Sequence, residues 1–277
     1  MSPELQLRDR LPVYSEGDRD GRPIFSFYEL KDRAVVRISG AMDFHCWPDR
    51  ILCHLQEPAH GYLLEVALFG MVMSLWLELR GVPTLHASTV RIGAGAAAFL
   101  SGRGGGKTST AAACLAASYP LVSDDLLALT VESGTVVAQP GYPQLRMWRD
   151  QARHFLGSDE AGAPYHPDYE KRRITIGQDF GSFDGRPAQL SRLYLPERGD
   201  EPNAVVTISA MRPRVAVMAL VRQSFLPREV VRFGLQEARL AFFARLLERV
   251  PVRRVTVPFG LDQLPRVVEA IAADMEA

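Results

Sequence analysis

Leu100-Ser101-Gly102-Arg103-Gly104-Gly105-Gly106-Lys107-Thr108-Ser109-Thr110 is the stretch whose reading decides the fold. The apolar run Ala96-Ala97-Ala98-Phe99-Leu100 feeds into it, and the alanine-rich run Thr110-Ala111-Ala112-Ala113-Cys114-Leu115-Ala116-Ala117 leaves it. That order predicts strand, glycine loop and helix, with a lysine and a hydroxyl at the turn. Polyphosphate is held by this combination. Glycines let backbone N–H groups approach the oxygens, the helix N-terminus adds partial positive charge, and the lysine neutralises the outer phosphates. The Thr108 hydroxyl stands at the position that meets Mg2+ in such loops. In the usual pattern, G-x-x-x-x-G-K-[ST], the first glycine falls on Ser101 of this chain. Either Ser101 takes the glycine's place or the loop starts one residue late, at Gly102. The plain alternative is a flexible glycine turn with an incidental lysine, and the strand and helix on its two sides argue against it. The expected nucleotide contacts are Gly102, Gly104, Gly105, Gly106, Lys107, Thr108 and Ser109.

A chain of 277 residues with 47% hydrophobic and 23% charged residues has the composition of a soluble globular protein. Its formal net charge of zero provides no general attraction to nucleic acid or anionic membrane, so neither is expected as a partner. The opening Met1-Ser2-Pro3-Glu4 lacks the basic region of a secretory signal. The longest mainly apolar run, Val66 to Leu77 between Glu65 and Glu78, is expected to be a buried helix too short to span a bilayer. Three cysteines, an odd number, fit reduced thiols and a cytoplasmic location.

Residues 1–60 read as a small strand-rich lobe. Ile24 to Tyr28 and Ala34 to Ile38 are rich in aromatic and β-branched residues, and Met42 to Leu55 adds one or two strands. His45-Cys46 and Cys53-His54 lie in that lobe. Neighbouring Cys and His on a strand point to opposite faces, so core cysteines are expected there rather than a metal site. Gly61 to Arg80 reads as a helix, apolar nearly all round and therefore buried between layers, ended by Gly81-Val82-Pro83. Thr84 to Ile92 is a strand that leads through Gly93-Ala94-Gly95 into the loop strand. After the loop helix, Leu121-Val122-Ser123 is a short buried strand, and Glu132-Ser133-Gly134 marks a hairpin. The turn Pro140-Gly141-Tyr142-Pro143 leads to Leu145-Trp148 and a helix over Asp150–Leu156. Residues 157–187, with many Gly, Pro and Asp, are expected to be a long loop broken by a short strand, Ile174 to Ile176. Strands over Ser191–Pro196, Ala204–Ser209 and Val252–Val257, and helices over Gln236–Arg249 and Leu261–Met275, complete the chain. The expected class is α/β, one domain throughout, with a strand-rich lobe (1–60), a core with a mixed sheet (61–210) and a C-terminal α/β cap (211–277).

Asp124-Asp125 ends a strand about one helix after the glycine loop. Mg2+ is usually held by a carboxylate so placed, and two neighbours can divide the work. One holds the metal with Thr108; the other accepts a proton from an attacking hydroxyl. Asp124 is the expected metal ligand, and both aspartates are expected at the chemistry. Without the loop, the pair would read as an acidic turn. His86 precedes the strands that enter the loop and can orient one of the aspartates; the bland alternative is a satisfied structural histidine. Lys171-Arg172-Arg173 can clamp a phosphoryl or carboxylate group, or can be a solvated loop end, and Arg146 is a weaker candidate of the same kind. The expected substrate contacts are Arg146, Lys171 and Arg172.

Taken together, His86-Ala87-Ser88, the loop through Lys107-Thr108, and Leu121-Val122-Ser123-Asp124-Asp125 resemble the catalytic core of the HPr serine kinase/phosphorylase family. The resemblance covers residues 84–131. It implies a P-loop core, ATP and Mg2+ at Lys107 and Thr108, metal contact and general base from Asp124 and Asp125, support from His86, and transfer to a serine hydroxyl on a peptide or protein. Two features depart from that family. The lobe at residues 1–60 is short, and the family's Glu-x-Arg-Gly-Leu-Gly stretch has no equivalent. The segment Gln139 to Trp148 instead resembles a divergent branch that acts in lasso-peptide and related pathways. That branch implies a precursor-peptide serine as acceptor, makes HPr the less expected acceptor and leaves the reverse phosphorylase reaction open. The alternative class is a nucleotide-hydrolysing regulatory or binding protein with no transfer to a peptide. Self-association stays open on sequence alone.

Overall fold

The computed structural model describes residues 7, 10–56, 61–102, 104–166, 169–199 and 205–277. They form a mixed α/β protein with several sheets and helices. The chain divides into two compact units, Met1–Val82 with Leu226–Arg239, and Pro83–Phe225 with Leu240–Ala277. The long helix after residue 60 belongs to the first unit, and the C-terminal segment is shared between both.

In the first unit, strands β1 (Tyr14–Gly17), β2 (Pro23–Glu29), β3 (Ala34–Ile38), β4 (Met42–Cys46) and β5 (Ile51–Leu55) form an antiparallel sheet in sequence order. The register places Phe27, Val36, Phe44 and Cys53 in one row across the sheet. Ser26, Arg37, Asp43 and His54 form a row on the other face. His45 and Cys46 therefore face opposite ways, as the alternation of a strand requires. Arg37 forks onto Asp43 with bonds of 2.8 and 2.7 Å. Arg33 Nε donates to His45 Nδ1 at 3.0 Å, while the His45 ring stacks on Trp47 and meets His54 edge-on.

Helix α1 (Gly61–Leu79) is longer than the apolar run inside it and contains a π turn at Leu68–Val72. Only 33% of its apolar window is buried, so the expected burial on all sides does not hold. At 19 residues the whole helix is long and apolar enough to cross a membrane by length and composition, whereas the run from Val66 to Leu77 inside it is shorter. Its Glu78 is nonetheless ion-paired with Arg239, with side chains 4% and 5% exposed, and Arg239 Nε donates to Glu78 Oε2 at 3.2 Å.

The second unit is built on a nine-stranded sheet. Its strands are β6 (Thr84–Leu85), β7 (Ala87–Ile92), β8 (Gly95–Leu100), β9 (Leu121–Ser123), β10 (Leu127–Glu132), β11 (Thr135–Ala138), β15 (Ala188–Arg198), β16 (Ile208–Ala210) and β17 (Val252–Val257). β8 runs parallel to β15, and β15 parallel to β17. β7 lies between β8 and β9 and is antiparallel to both. β8 is buried on both faces, so it reads as an unbroken apolar run. Ala97 and Phe99 enter one core with helices α2 (Lys107–Ala116) and α7 (Leu264–Glu276). Ala96, Ala98 and Leu100 enter the other with α4 (Pro213–Arg222) and the Phe242-Phe243 end of α6 (Gln236–Leu247).

Two features depart from expectation. Residues 157–187 are not one loop, because β12 (Gln144–Trp148), β13 (Ala163–His166) and β14 (Tyr169–Thr175) form a separate three-stranded sheet. The unforeseen helices α4 and α5 (Pro227–Arg232) each have proline in the first turn, where its missing N–H costs nothing. Ala204, at the start of one expected strand, lies outside the described residues.

Burial, the Arg33 charge and the neighbouring His54 push His45 down to about 4. A histidine depressed on folding contributes stability that is present above its unfolded pKa of about 6.5 and is lost as pH falls toward the folded value. Urea denaturation between pH 7 and 4 is expected to show a falling midpoint in the wild type and a flatter dependence in His45→Gln. Parallel curves would count against the neutral, Arg33-bonded imidazole.

Candidate active site

Strand direction decides which side chains meet. β8 runs into the glycine loop and β9 into Asp124, while β7 between them runs the other way. The beginning of β7 therefore lies beside the ends of β8 and β9, with Ala87 opposite Leu100 and Thr89 opposite Ser123. This places His86 and Ser88 next to residues 36 to 39 positions later in the chain.

The loop between β8 and α2 closes on itself. The Lys107 N–H donates to Ser101 Oγ at 3.3 Å, and the Gly105 N–H donates to Gly102 O at 3.0 Å. A Cβ at Gly105 would lie 2.7 Å from the Ser101 Cβ, so Ser101 occupies the start of the loop and glycine is required opposite it. Of the two readings of the loop start, this geometry matches the one that begins at Ser101. Gly104 and Gly106 have φ of +78° and +98°, and a Cβ on either would meet no protein atom within 4 Å. The loop thus presents open backbone at the start of a ten-residue helix.

At the end of β9, Asp125 has φ of +65°, a conformation aspartate tolerates better than most residues. Asp124 accepts from Ser88 Oγ at 2.5 Å. The Asp125 carboxylate is shared by three basic side chains, Lys107 Nζ at 2.6 Å, Arg146 Nη1 at 2.7 Å and His86 Nε2 at 3.3 Å. Burial alone would raise the Asp125 carboxyl. The Lys107 charge, the His86 hydrogen bond and the Arg146 charge overcome that and hold it well below the usual carboxylate range. Burial likewise disfavours the Lys107 ammonium, and the charges of Asp124 and Asp125 outweigh it and raise its pKa.

Arg146 is delivered by β12. Just before that strand the Gly141 N–H donates to Val122 O at 2.8 Å, and a Cβ at Gly141 would lie 2.9 Å from the Ser123 Cβ. Glycine there lets the chain pass against β9 and turn Arg146 toward Asp125. Gln151, which the sequence reading passed over, fixes the other end of β12. It accepts from the Trp148 N–H at 2.9 Å and donates to Ser109 Oγ at 2.6 Å.

The other expected site residues fall into two groups. Thr108 is half-buried beside the cluster, with its Oγ1 3.4 Å from Lys107 Nζ. Lys171 lies over the Trp148 ring, 5.0 Å from its centre, across the strand pair from it. Arg172 does not join them. It is buried and turned the other way, donating to Ala161 O at 3.1 Å, to Glu160 O at 2.6 Å and to Gly162 O at 2.5 Å. Its role as a substrate contact is withdrawn on this geometry, and it fastens the turn before β13. The serine of Ser88 had no signal as a site residue because it reads as one polar position in a strand.

Among the described residues no group of three or more His, Cys, Asp and Glu is placed to hold a metal. Mg2+ bound with phosphates needs only one or two carboxylates, and the Thr108 hydroxyl and the Asp124 carboxylate are oxygen donors of the right kind. Cys46, Cys53 and Cys114 are all free thiols.

No family model and no curated protein matches the chain. Among solved structures, the Hpr(Ser) kinase/phosphatase from Coxiella burnetii is similar at 12% identity and a TM-score of 0.34, over 70% of this chain and 95% of that one.

The shared carboxylate yields an ordering of stabilities. Asp125→Asn keeps the backbone conformation but leaves buried Lys107 beside Arg146 without its hydrogen-bonded counter-charge, at a cost on the order of 3 kcal/mol. Lys107→Met leaves Asp125 with Arg146 and His86 and is expected to cost less. Urea denaturation of both variants at pH 7 tests this; the reverse order would contradict the shared-carboxylate arrangement.

Proposed function

We propose that the chain is an ATP-dependent kinase that transfers the γ-phosphoryl group to a serine hydroxyl on a small peptide or protein. The observation that carries this reading is the convergence of Lys107, at the mouth of an open glycine loop, with the carboxylates that follow β9. Lys107 Nζ and Asp125 Oδ1 are 2.6 Å apart. Phosphoryl transfer is mainly positioning and charge stabilisation, and these groups are suited to both.

In this reading the backbone of Gly102, Gly104, Gly105 and Gly106 cradles the phosphates, with Lys107 and Arg146 as their counter-charges. Thr108 and Asp124 would hold Mg2+, which supplies charge neutralisation at the phosphate oxygens. The carboxylates of Asp124 and Asp125 face the acceptor, and one of them takes the serine proton as the new O–P bond forms and the bond from the γ-phosphorus to the bridging oxygen breaks, releasing ADP. Ser88 orients Asp124, and His86 orients Asp125. Ser109 is bonded to Gln151 and acts by holding the first helical turn in place. The acceptor follows from the resemblance of Gln139 to Trp148 to the peptide-modifying branch, which points to the serine of a ribosomal precursor peptide of lasso type. Free thiols fit action in the cytoplasm.

Incubation with ATP, Mg2+ and serine-bearing peptides, followed by mass spectrometry, tests the reading. One added phosphoryl group on serine is expected, and Lys107→Ala is expected to lower the rate by about 10²–10³-fold. Nucleotide hydrolysis with every peptide left unmodified would favour the regulatory alternative instead.

A further inference from the structure

The motif residues do not account for all the positive charge around the Asp125 centre. Lys171 stands on the same face of the three-stranded sheet as Arg146. β12 and β14 pair Trp148 with Lys171 and Arg146 with Arg173, and alternate residues of a strand share a face. The Lys171 ammonium lies 5.0 Å from the centre of the Trp148 ring. Among the described residues no carboxylate lies within ion-pair distance of it.

Two hydrogen-bonded links fix this face against the junction of glycine loop and helix. At one end Arg146 Nη1 reaches Asp125 Oδ2 at 2.7 Å, and the other oxygen of that carboxylate meets Lys107 at 2.6 Å. At the other end the Trp148 N–H reaches Gln151, whose side-chain amide holds Ser109 in the first turn of α2 at 2.6 Å. Lys171, resting on Trp148, is thereby carried alongside the start of α2. The charges that act on it are those of Asp125, Lys107, Asp124 and Arg146, and burial lowers its pKa. Three cations, Lys107, Arg146 and Lys171, thus stand around the two carboxylates, an excess of positive charge beside a helix N-terminus. An anion drawn into that excess gains more the more charge it carries.

We propose that Lys171, held on Trp148, is a second phosphate-binding cation that makes the site prefer a nucleoside triphosphate over the diphosphate. This rests on the kinase reading and gives the expected contact at Lys171 a role in nucleotide specificity. Trp148 acts as its platform. The aromatic face holds the ammonium without neutralising it. Arginine keeps the charge and can stack on the same ring, whereas methionine keeps most of the length and loses the charge.

Titration calorimetry with ATP and ADP in Mg2+ tests the proposal on wild type, Lys171→Met, Lys171→Arg, Trp148→Leu and Lys107→Ala, each checked for folding by thermal denaturation. Lys171→Met is expected to weaken ATP binding about tenfold or more, as loss of a charge-assisted hydrogen bond does, with much less effect on ADP. Lys171→Arg is expected to restore most of the preference, and Trp148→Leu to reduce it in the same direction. An unchanged ATP-to-ADP ratio in Lys171→Met, or equal losses for both nucleotides, overturns the proposal. The broader reading fails separately, when Lys107→Ala leaves the affinity for both nucleotides unchanged.

Discussion

Asp125 is the point on which the site depends. One carboxylate accepts from a lysine at the start of a helix, an arginine on a strand of the second sheet and a histidine before β7. Lys107 and Arg146 are wholly or partly buried cations, and a buried cation without a counter-charge is strongly unfavourable. The carboxylate therefore fixes three elements relative to one another within the second unit. It can do so only because the turn after β9 adopts a left-handed conformation at Asp125, which sends neighbouring carboxylates to different partners. Asp124 goes to Ser88 and Asp125 to the basic cluster.

The same arrangement has a chemical consequence under the kinase reading. In the arrangement described here Asp125 is a weak base, because Lys107, His86 and Arg146 all favour its ionised form. Phosphates entering the loop compete for Lys107 and Arg146, since both carry donors suited to phosphate oxygens. As those cations turn to the phosphates, Asp125 keeps His86 and regains basicity. Under that reading, binding of the donor and readiness of the acceptor base would be linked through shared cations.

How much of this was legible in the sequence depended on how local each feature is. The glycine loop with its flanking strand and helix, and the aspartate pair after Ser123, lie in short contiguous stretches. Their conformations follow from residue type alone. His86 was legible by order along the chain; Ser88 was not, because its role comes from the antiparallel course of β7 between two strands that run the other way. Lys171-Arg172-Arg173 reads as a uniform basic run in a glycine- and proline-rich segment. Strand alternation separates it, sending Arg172 into backbone carbonyls while Lys171 faces Trp148. The unit boundary at Val82 was hidden for a related reason: a long apolar helix reads as core, but nothing in its pattern says which core.

Sequence separation also shapes what a variant of this site can mean. The bonds to Asp125 close separations of 18, 21 and 39 residues, and the Ser88 bond closes one of 36. None of these groups is near the others until β7, β8 and β9 have paired and β12 has docked through Gly141. Loss of activity on substituting any one of them therefore mixes lost chemistry with lost assembly, unless stability is measured beside it. Lys171 is separable in a way the others are not. Its recorded contact is the face of one ring rather than a bond that holds two elements together. A change in its charge can alter what the site binds while the Asp125 cluster stays intact, so charge and architecture come apart most cleanly at that residue.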